Sequence, residues 1–341
     1  MKIGLMTPTN RVSGFGMVGW DICRNMPIDS VLSAMSVKGN ERWSEHQAMF
    51  PAIQLKTMPE AARMRTISYL DKFKPDVLLA VETFHSPYVV EVCREHGVKT
   101  ALIPMHEVYN YGRTQADLFI CPNKLCYTKV RDLCKVLWRL PIDGRDFEYR
   151  PRAGKPKTFL HCHGYGYLND KRQTGVVLSA FKAVKNPDLR LIVSSQSSLM
   201  KYDGIIRNDP RITIVGPQRN GYDLYRGIDC LLQPEAYAGY GRVPLEAGIQ
   251  GIPVLTTAAP PMNELIPPDL LIPYERTFWL EHGKGLNATF YVVSQTDIMQ
   301  AIERMAATDV SDVSKQIYSV CRKQLWTAAK ARQLVKILRD K

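Results

Sequence analysis

The stretch that decides the fold covers residues 229–257 and reads DCLLQPEAYAGYGRVPLEAGIQGIPVLTT. Two short apolar runs, CLL near its start and IPVL near its end, have the length and composition of buried β-strands. Between them lie a glycine-bearing loop and a segment in which Pro244 suits the first turn of a helix. Strand, loop, helix and strand in this order form the repeating unit of a parallel sheet. The stretch therefore predicts an α/β protein.

The same alternation runs through the whole chain. The first half contains MKIGLM, SVLSAM, DVLLAVE, KTALIPM and ADLFICP, and the second half contains KTFLHCH, LRLIVSS, RITIVG, DCLLQPE and IPVLTT. Continuous apolar strands between amphipathic segments are typical of parallel sheets covered by helices on both faces. A chain of 341 residues also exceeds the size at which one hydrophobic core stops growing. We expect two Rossmann-like, doubly wound domains that face a cleft.

The domain boundaries follow from composition. Residues 140–157, LPIDGRDFEYRPRAGKPK, are rich in proline, glycine and charge, as interdomain linkers are. We predict an N-terminal domain over residues 1–143, a linker over 144–156 and a second domain over 157–315. Apolar residues near helical spacing then predict a long, basic amphipathic helix over residues 316–341. Because its apolar side must dock, we expect this helix to cross back onto the first domain.

Charge and composition restrict the class of protein. The net charge is +12, and residues 311–341 hold eight basic against two acidic side chains. A polyanionic partner, either nucleic acid or an anionic membrane face, is one interpretation of this excess, and a solvated basic surface is the other. The 8 cysteines lack metal-ligand or disulfide spacing. No signal peptide or membrane-spanning run is apparent, so we expect a cytoplasmic protein.

The loop after the first predicted strand is rich in glycine. In parallel sheets, ligands bind beyond the carboxyl ends of the strands. There, Gly14, Gly16 and Gly19 flank Phe15 and could let a phosphate or an acceptor approach the backbone closely. A dinucleotide site is disfavoured, because no acidic residue ends the second strand where a ribose would need one.

Two loops of the second domain have the composition of a phosphate-binding site, and a third suits a nucleobase. In residues 234–257, Gly239 and Gly241 free the backbone, and Glu246 lies where a carboxylate can bind vicinal hydroxyls. The alternative is a glycine turn with a solvated Glu246. A second loop, HGYGYLNDKRQTG, has Lys171 and Arg172 just before a helix, which suits a departing phosphate. The third, VGPQRN, could hold a nucleobase edge.

Histidines and one glutamate supply the remaining candidates. His106 and Glu107 follow one strand of the first domain, and His85 follows another, so we expect them to face the cleft. Alternation in FLHCHGYG puts His161 and His163 on one strand face, where we interpret them as structural. We predict no metal site, because no third ligand is close in sequence.

These motifs resemble the retaining, nucleotide-sugar-dependent glycosyltransferases of GT-B fold, which include glycogen synthase-like and bacterial polysaccharide transferases. The likeness covers nearly the whole chain, is strongest from KTFLHCHGYG through PPMNELI and includes the linker phrase LPIDGRDF. In AGYGRVPLE, Glu246 is similar to the ribose-binding glutamate of that family, while Ala238 stands where the family has its first glutamate. Arg172 resembles the basic residue on the diphosphate, and His106 resembles a histidine that contacts the sugar.

The resemblance implies roles for individual residues. The catalytic residues are His106, Arg172 and Lys171. The donor-binding residues are Glu246, Gly239, Tyr240, Gly241, Arg242, Gly166, Pro217, Gln218 and Gly16. The acceptor side is assigned Gly14, Phe15, His85 and Glu107. The donor is a nucleotide-sugar co-substrate, expected to be a UDP-sugar, with no separate cofactor, metal or protein partner.

More narrowly, RQTG, PMHEVY, DLFICPNKLCY and TTAAPPMNE resemble bacteriophage versions of this fold. The resemblance, with the positive charge, implies transfer to hydroxymethylated pyrimidine bases of phage DNA, inside an infected host cell. The alternative acceptor is a lipid-linked or cell-surface glycan, with the basic face against anionic lipid. A further alternative is a non-catalytic module that binds a sugar nucleotide or nucleic acid.

Overall fold

The computed structural model describes residues 1–8, 14–34, 52–55, 59–109, 115–164, 170–216, 221–282 and 286–341. The strands, in chain order, are β1 Ile3–Pro8, β2 Ser30–Ala34, β3 Ala52–Leu55, β4 Val77–Glu82, β5 Lys99–Pro104, β6 Leu118–Cys121, β7 Lys135–Leu137, β8 Thr158–Gly164, β9 Arg190–Ser195, β10 Ile212–Val215, β11 Cys230–Gln233, β12 Val254–Thr257, β13 Leu271–Ile272, β14 Arg276–His282 and β15 Leu286–Val292.

The α-helices are α1 Gly14–Asn25, α2 Pro59–Phe73, α3 Pro87–Glu95, α4 Lys124–Lys129, α5 Thr174–Ala183, α6 Asp203–Ile206, α7 Arg242–Gly248, α8 Gln295–Ala307, α9 Ser311–Cys321 and α10 Ala328–Asp340. The chain forms two compact units. Unit 1 comprises Met1–Asp143, Glu281–Asn287 and Trp326–Lys341, and unit 2 comprises Gly144–Leu280 and Ala288–Leu325.

Unit 1 is built on a seven-stranded sheet in the order β3-β2-β1-β4-β5-β6-β7. Every neighbouring pair is parallel. All six residues of β1 are buried, as are five of the six in β4, because helices cover both faces of the sheet. At the contact between α1 and β1, a side chain on Gly19 would collide with Thr7, so only glycine permits this approach.

Unit 2 repeats the pattern in a six-stranded parallel sheet with the order β10-β9-β8-β11-β12-β13. In both sheets the strand order reverses beside the first strand, which creates a switch point between β1 and β4 and between β8 and β11. The predicted α/β class with two doubly wound sheets is thus confirmed. The short strands β3, β7 and β13 and the separate β14–β15 ribbon were not predicted from the apolar runs.

The C-terminal stretch differs from the single long helix that the sequence predicts. α9 belongs to unit 2, a 3₁₀ turn follows at Arg322–Gln324, and α10 belongs to unit 1. The chain breaks because Leu325 is extended and the Thr327 side chain caps α10, accepting a hydrogen bond from the Lys330 amide at 3.2 Å. The prediction of one continuous helix over residues 316–341 was therefore wrong.

The last helix nevertheless packs on the N-terminal domain, as predicted. The rings of Trp326 and Trp138 lie 5.7 Å apart, and Trp138 Nε1 donates a hydrogen bond to Gln333 Oε1 at 3.2 Å. Lys99 Nζ donates to the carbonyl of Leu338 at 3.2 Å near the helix end. No helix among the described ranges is long and apolar enough to cross a membrane.

Candidate functional site

The candidate site lies in unit 2 at its switch point, where the loops after β8 and β11 meet. The amide of Ala236 donates a hydrogen bond to the carbonyl of Lys171 at 2.8 Å. Gln173 Nε2 donates to the carbonyl of Pro234 at 2.8 Å, and Gln173 itself has a left-handed backbone with φ 53°. These two hydrogen bonds hold the two predicted phosphate loops against each other.

An ion pair connects the same two loops through their side chains. The guanidinium Nη1 of Arg172 contacts Oε1 of Glu235, whose side chain is only 2% exposed. Gln233 Nε2 reaches the same carboxylate oxygen at 3.4 Å, and the Thr257 hydroxyl donates to the Glu235 carbonyl at 2.7 Å. Since a buried carboxylate needs a cation nearby, Glu235 holds Arg172 in place. Arg172 is 22% exposed, so its guanidinium still reaches the surface.

Lys171, the neighbouring cation, lies against an aromatic ring. Its ammonium nitrogen is 4.7 Å from the centre of the Tyr237 ring, and the residue is buried. A cation over an aromatic face is stabilised by the ring quadrupole. Lys171 and Arg172 therefore supply two positive charges on adjacent residues at the meeting point of the loops.

Glu246, the predicted ribose ligand, is held from both sides. α7 begins after Gly241, whose φ of 82° is the left-handed conformation that glycine adopts without strain. One turn into the helix, Glu246 Oε1 accepts from Arg242 Nε at 2.5 Å, and Glu246 Oε2 accepts from the Tyr225 hydroxyl at 2.8 Å. Burial and the charge of Glu246 raise the pKa of Tyr225 well above its usual value, so this phenol remains a donor. Each carboxylate oxygen retains a further lone pair for a ligand hydroxyl.

Ala238, at the position where the resembled family has its first glutamate, is part of a small apolar core. It packs with the buried Ala259 and Met262 and with the half-buried Tyr291. Its exposed fraction is 2%. The neighbouring Gly239 and Tyr240 are also buried, so this part of the loop is packed against the protein. A carboxylate at position 238 would lie in an apolar environment.

His161 and His163 form a hydrogen-bonded chain through Thr174. His161 Nδ1 lies 2.9 Å from the carbonyl of Leu232, and because a carbonyl only accepts, Nδ1 carries the hydrogen. His161 Nε2 then accepts from the Thr174 hydroxyl at 2.9 Å, and the Thr174 oxygen accepts from His163 Nδ1 at 2.7 Å. Burial lowers the pKa of His161 to about 4 and also lowers that of His163. Both side chains are therefore neutral, in keeping with their predicted structural role.

The N-terminus of α5 is already capped by a carboxylate. Asp170 Oδ1 accepts from the amide of Thr174 at 2.9 Å, and Asp170 Oδ2 accepts from the amide of Gly175 at 3.0 Å. A phosphate at this helix end would be repelled by the carboxylate. An anion would therefore be bound by the Arg172 and Lys171 side chains and not by the first amides of α5.

In unit 1, the predicted residues lie after the carboxyl ends of β4 and β5. His106 and Glu107 are buried, with 3.7 Å between His106 Nδ1 and Glu107 Oε2. His85 is exposed and has a left-handed backbone with φ 56°. Gly14 and Gly16 lie in the first turn of α1, where Gly14 is exposed and Gly16 is buried.

Several predicted residues fall outside what the structure describes. Gly166, Pro217 and Gln218 are not among the described residues, and Phe15 is described only through its backbone. Within the described ranges, no group of three or more histidine, cysteine, aspartate or glutamate side chains could hold a metal ion.

Sequence reasoning missed several residues of the site. Tyr225, Gln173 and Asp170 were not singled out, and the pairing of Glu235 with Arg172 was not foreseen. Tyr225 and Glu235 carry no sequence signal for these contacts, because each partner lies at least 21 residues away. Asp170 gave no capping signal either, because a capping aspartate is expected immediately before a helix and Asp170 lies four residues before Thr174.

Comparison with known proteins adds two results, and no protein-family model matches the chain. The mannosyltransferase LpsB of Rhizobium meliloti (strain 1021), described as acting in lipopolysaccharide core biosynthesis, is 39% identical over 166 residues. The match covers 46% of this chain and 46% of LpsB, less than half of that relative.

Solved structures match over the whole chain. Anabaena Alr3699/HepE in complex with UDP has a TM-score of 0.74 at 13% identity and covers 100% of both chains. The apo form of WaaB, a lipopolysaccharide outer core galactosyltransferase, has a TM-score of 0.68 at 13% identity and covers 100% of this chain and 99% of its own. At such identities the likeness concerns the fold. The chain has the two-domain α/β fold of GT-B glycosyltransferase structures.

Proposed function

We propose that this protein is a glycosyltransferase that moves a sugar from a nucleotide-sugar donor to a hydroxyl of a lipid-linked or cell-surface glycan. The proposal rests on the two hydrogen-bonded loops of unit 2 that follow β8 and β11. There, Arg172 is held by its ion pair with Glu235, and the buried Glu246 accepts two hydrogen bonds. Both residues lie at the switch point of a parallel sheet. The guanidinium of Arg172 suits a diphosphate and the carboxylate of Glu246 suits a ribose, and both parts occur in a sugar nucleotide.

Donor binding would use this chain's own side chains. Glu246 would accept hydrogen bonds from the ribose hydroxyls through its remaining lone pairs. Arg172 and Lys171 would neutralise the diphosphate, with backbone N–H groups near Gly241 completing the contact. UDP is the favoured nucleotide, because HepE, which shares the fold, has been solved with UDP and with UDP-glucose.

In the proposed reaction, the bond between the anomeric carbon of the sugar and the diphosphate oxygen breaks while the acceptor oxygen bonds to the same carbon. The electron pair of the broken bond leaves on the diphosphate, where Arg172 and Lys171 stabilise the added charge. A phosphate oxygen takes the acceptor proton, and attack from the face of departure retains the configuration. His106 would bind and orient the sugar. No metal ion is required in this proposal.

The acceptor is proposed to be a glycan on the basis of the relatives. LpsB is described as acting in lipopolysaccharide core biosynthesis, and WaaB as an outer core galactosyltransferase. Hydroxymethylated DNA, which the phage resemblance and the charge of +12 favour, receives no support from these proteins. The basic side chains of residues 311–341 would instead contact anionic groups of the glycan or lipid.

The test offers the purified chain UDP-glucose, UDP-galactose and GDP-mannose with two acceptors. One is deacylated lipopolysaccharide core oligosaccharide and the other is DNA containing 5-hydroxymethylcytosine. We expect mass spectrometry to detect one added sugar on the oligosaccharide, unchanged by EDTA. Addition of sugar to DNA alone would refute the glycan acceptor. Loss of transfer in EDTA would refute metal independence. Donor binding without any transfer or donor hydrolysis would support the non-catalytic alternative.

A further inference from the structure

Three exposed aromatic side chains lie in the β14–β15 ribbon or just before it. Tyr274, Phe278 and Trp279 are 41%, 45% and 52% exposed, although each is a large side chain that proteins usually bury. The two strands pair with each other and not with either main sheet. Phe278 and Trp279 are consecutive residues of β14, so their side chains point to opposite faces of the ribbon and each is a separate candidate contact for a ligand.

The exposed rings continue inward to the donor loops. The ring of Phe278 is stacked on that of Phe290, with centres 4.6 Å apart and planes 14° apart. Phe290 in turn lies 6.0 Å from Tyr237, the ring that carries the Lys171 ammonium. A line of contacting side chains within unit 2 therefore runs from the surface of the ribbon to one of the proposed diphosphate ligands.

Backbone hydrogen bonds attach the ribbon to the same loops. The amide of Tyr291 in β15 donates to the carbonyl of Ala236 at 2.9 Å, next to Glu235. The amide of Val293 donates to Gln173 Oε1 at 2.9 Å. Because Gln173 also bonds to the Pro234 carbonyl, the ribbon and the donor loops form one connected structure.

We propose that Phe278 forms an acceptor subsite that stacks against a saccharide ring of the glycan; this inference rests on the proposed function. One face of a pyranose presents mainly C–H groups, which pack on an aromatic ring and bury apolar area. The hydroxyls remain at the edge of the sugar, within reach of water. Arg276, whose side chain is 72% exposed, lies two residues before Phe278 on the same face of β14 and would supply a polar partner for those hydroxyls.

The charges of the ribbon favour a glycan over an anionic membrane. Between Tyr274 and Val292, the sequence has two glutamates, Glu275 and Glu281, against one arginine, Arg276, and one lysine, Lys284. Binding to anionic lipid depends on clustered lysine and arginine, which this segment does not have. A neutral saccharide ring needs no such cluster, and the connection to the donor loops places the subsite beside the proposed reaction.

The experiment measures binding of deacylated lipopolysaccharide core oligosaccharide to the immobilised full chain by surface plasmon resonance. Wild type is compared with Phe278→Ala, with Phe278→Trp and with Met200→Ala, a control that truncates an exposed apolar side chain elsewhere in unit 2 (78% exposed). We expect Phe278→Ala to weaken oligosaccharide binding about fivefold. Phe278→Trp and Met200→Ala should bind as wild type does, and UDP affinity should be equal in all four proteins.

Other outcomes would overturn the subsite. Equal binding by wild type and Phe278→Ala would do so, as would the absence of oligosaccharide binding by wild type. Phe278-dependent sedimentation with phosphatidylglycerol vesicles, or a wild-type dimer that Phe278→Ala dissociates, would assign the rings to lipid or to a second copy. Sugar transfer without Phe278-dependent binding would leave the proposed function intact, whereas Phe278-dependent binding without transfer would leave only the subsite.

Discussion

Arg172 is ion-paired with the buried carboxylate of Glu235, although the two residues follow different strands and lie 63 positions apart. Arginine has five N–H donors, so the guanidinium can bind Glu235 and a phosphate oxygen at the same time. Glu235 therefore acts as a positioning residue. In the proposed reaction it would hold the cation where the departing diphosphate needs it, without contact to the donor.

Replacing Glu235 should affect both stability and turnover. Glu235→Ala leaves the Arg172 charge uncompensated, and we expect unfolding free energy to fall by about 3 kcal/mol in urea titrations. Glu235→Gln keeps the shape and should lower kcat about tenfold, because Arg172 loses its anchor. Glu148→Gln, which removes an exposed carboxylate of the same unit, is the matched control. Wild-type stability and turnover in Glu235→Gln would contradict the positioning role.

Glu246 should contribute to nucleotide affinity directly, and Tyr225 should contribute through its hydrogen bond to Glu246. Glu246→Gln removes the charged acceptor for the ribose, and we expect the Kd for UDP to rise about tenfold in calorimetric titrations. Tyr225→Phe deletes the 2.8 Å hydrogen bond that orients Glu246, so a smaller rise of about threefold is expected. Tyr127→Phe, on the surface of unit 1, should leave UDP binding unchanged. Unaltered affinity in Glu246→Gln would remove the carboxylate from the site.

The stability of the protein should fall as His161 is forced to take up a proton. Its pKa is about 4 in the folded protein and 6.5 in the unfolded chain, so the unfolded state binds more protons below pH 6.5. This residue's contribution is fully present above pH 6.5 and is lost progressively as the pH falls towards 4. Between pH 7 and pH 5 we expect it to account for about 2 kcal/mol of unfolding free energy.

The comparison with His161→Gln isolates this effect, because all other titrating groups are common to the two proteins. Urea denaturation at pH 7 and pH 5 should give a smaller pH-dependent loss in the variant than in wild type. An equal loss in both proteins would mean that His161 does not titrate as its burial implies.

Ala238 should not tolerate the glutamate that the resembled family has at this position. The side chain packs with Ala259, Met262 and Tyr291, so Ala238→Glu must both displace apolar neighbours and bury a carboxylate. We expect a loss of about 3 kcal/mol or more, measured as a lower Tm and a lower urea midpoint. Ala238→Ser, with a small side chain, should lose much less. A stable Ala238→Glu protein with improved turnover would contradict this interpretation.

Local pattern was sufficient to predict most strands of the two main sheets. The apolar runs that end at Thr257 and Glu82, for instance, form β12 and β4 because a strand buried on both faces must be apolar along its length. Short strands such as β7 escaped detection, since three residues give no periodicity to recognise. The break before Thr327 was missed because the apolar spacing continues across it.

The sequence by itself determined the α/β class, the repeated strand–helix alternation, the loops that contain Arg172 and Gly241, and the helix that carries Glu246. These features depend on residues close together in the chain, through apolar periodicity and glycine backbone freedom. Only the tertiary structure decided that Glu235 pairs with Arg172, that Tyr225 orients Glu246 and that Thr174 links His161 with His163. Those contacts join segments that parallel strand pairing brings together from distant parts of the chain, so no local pattern records them.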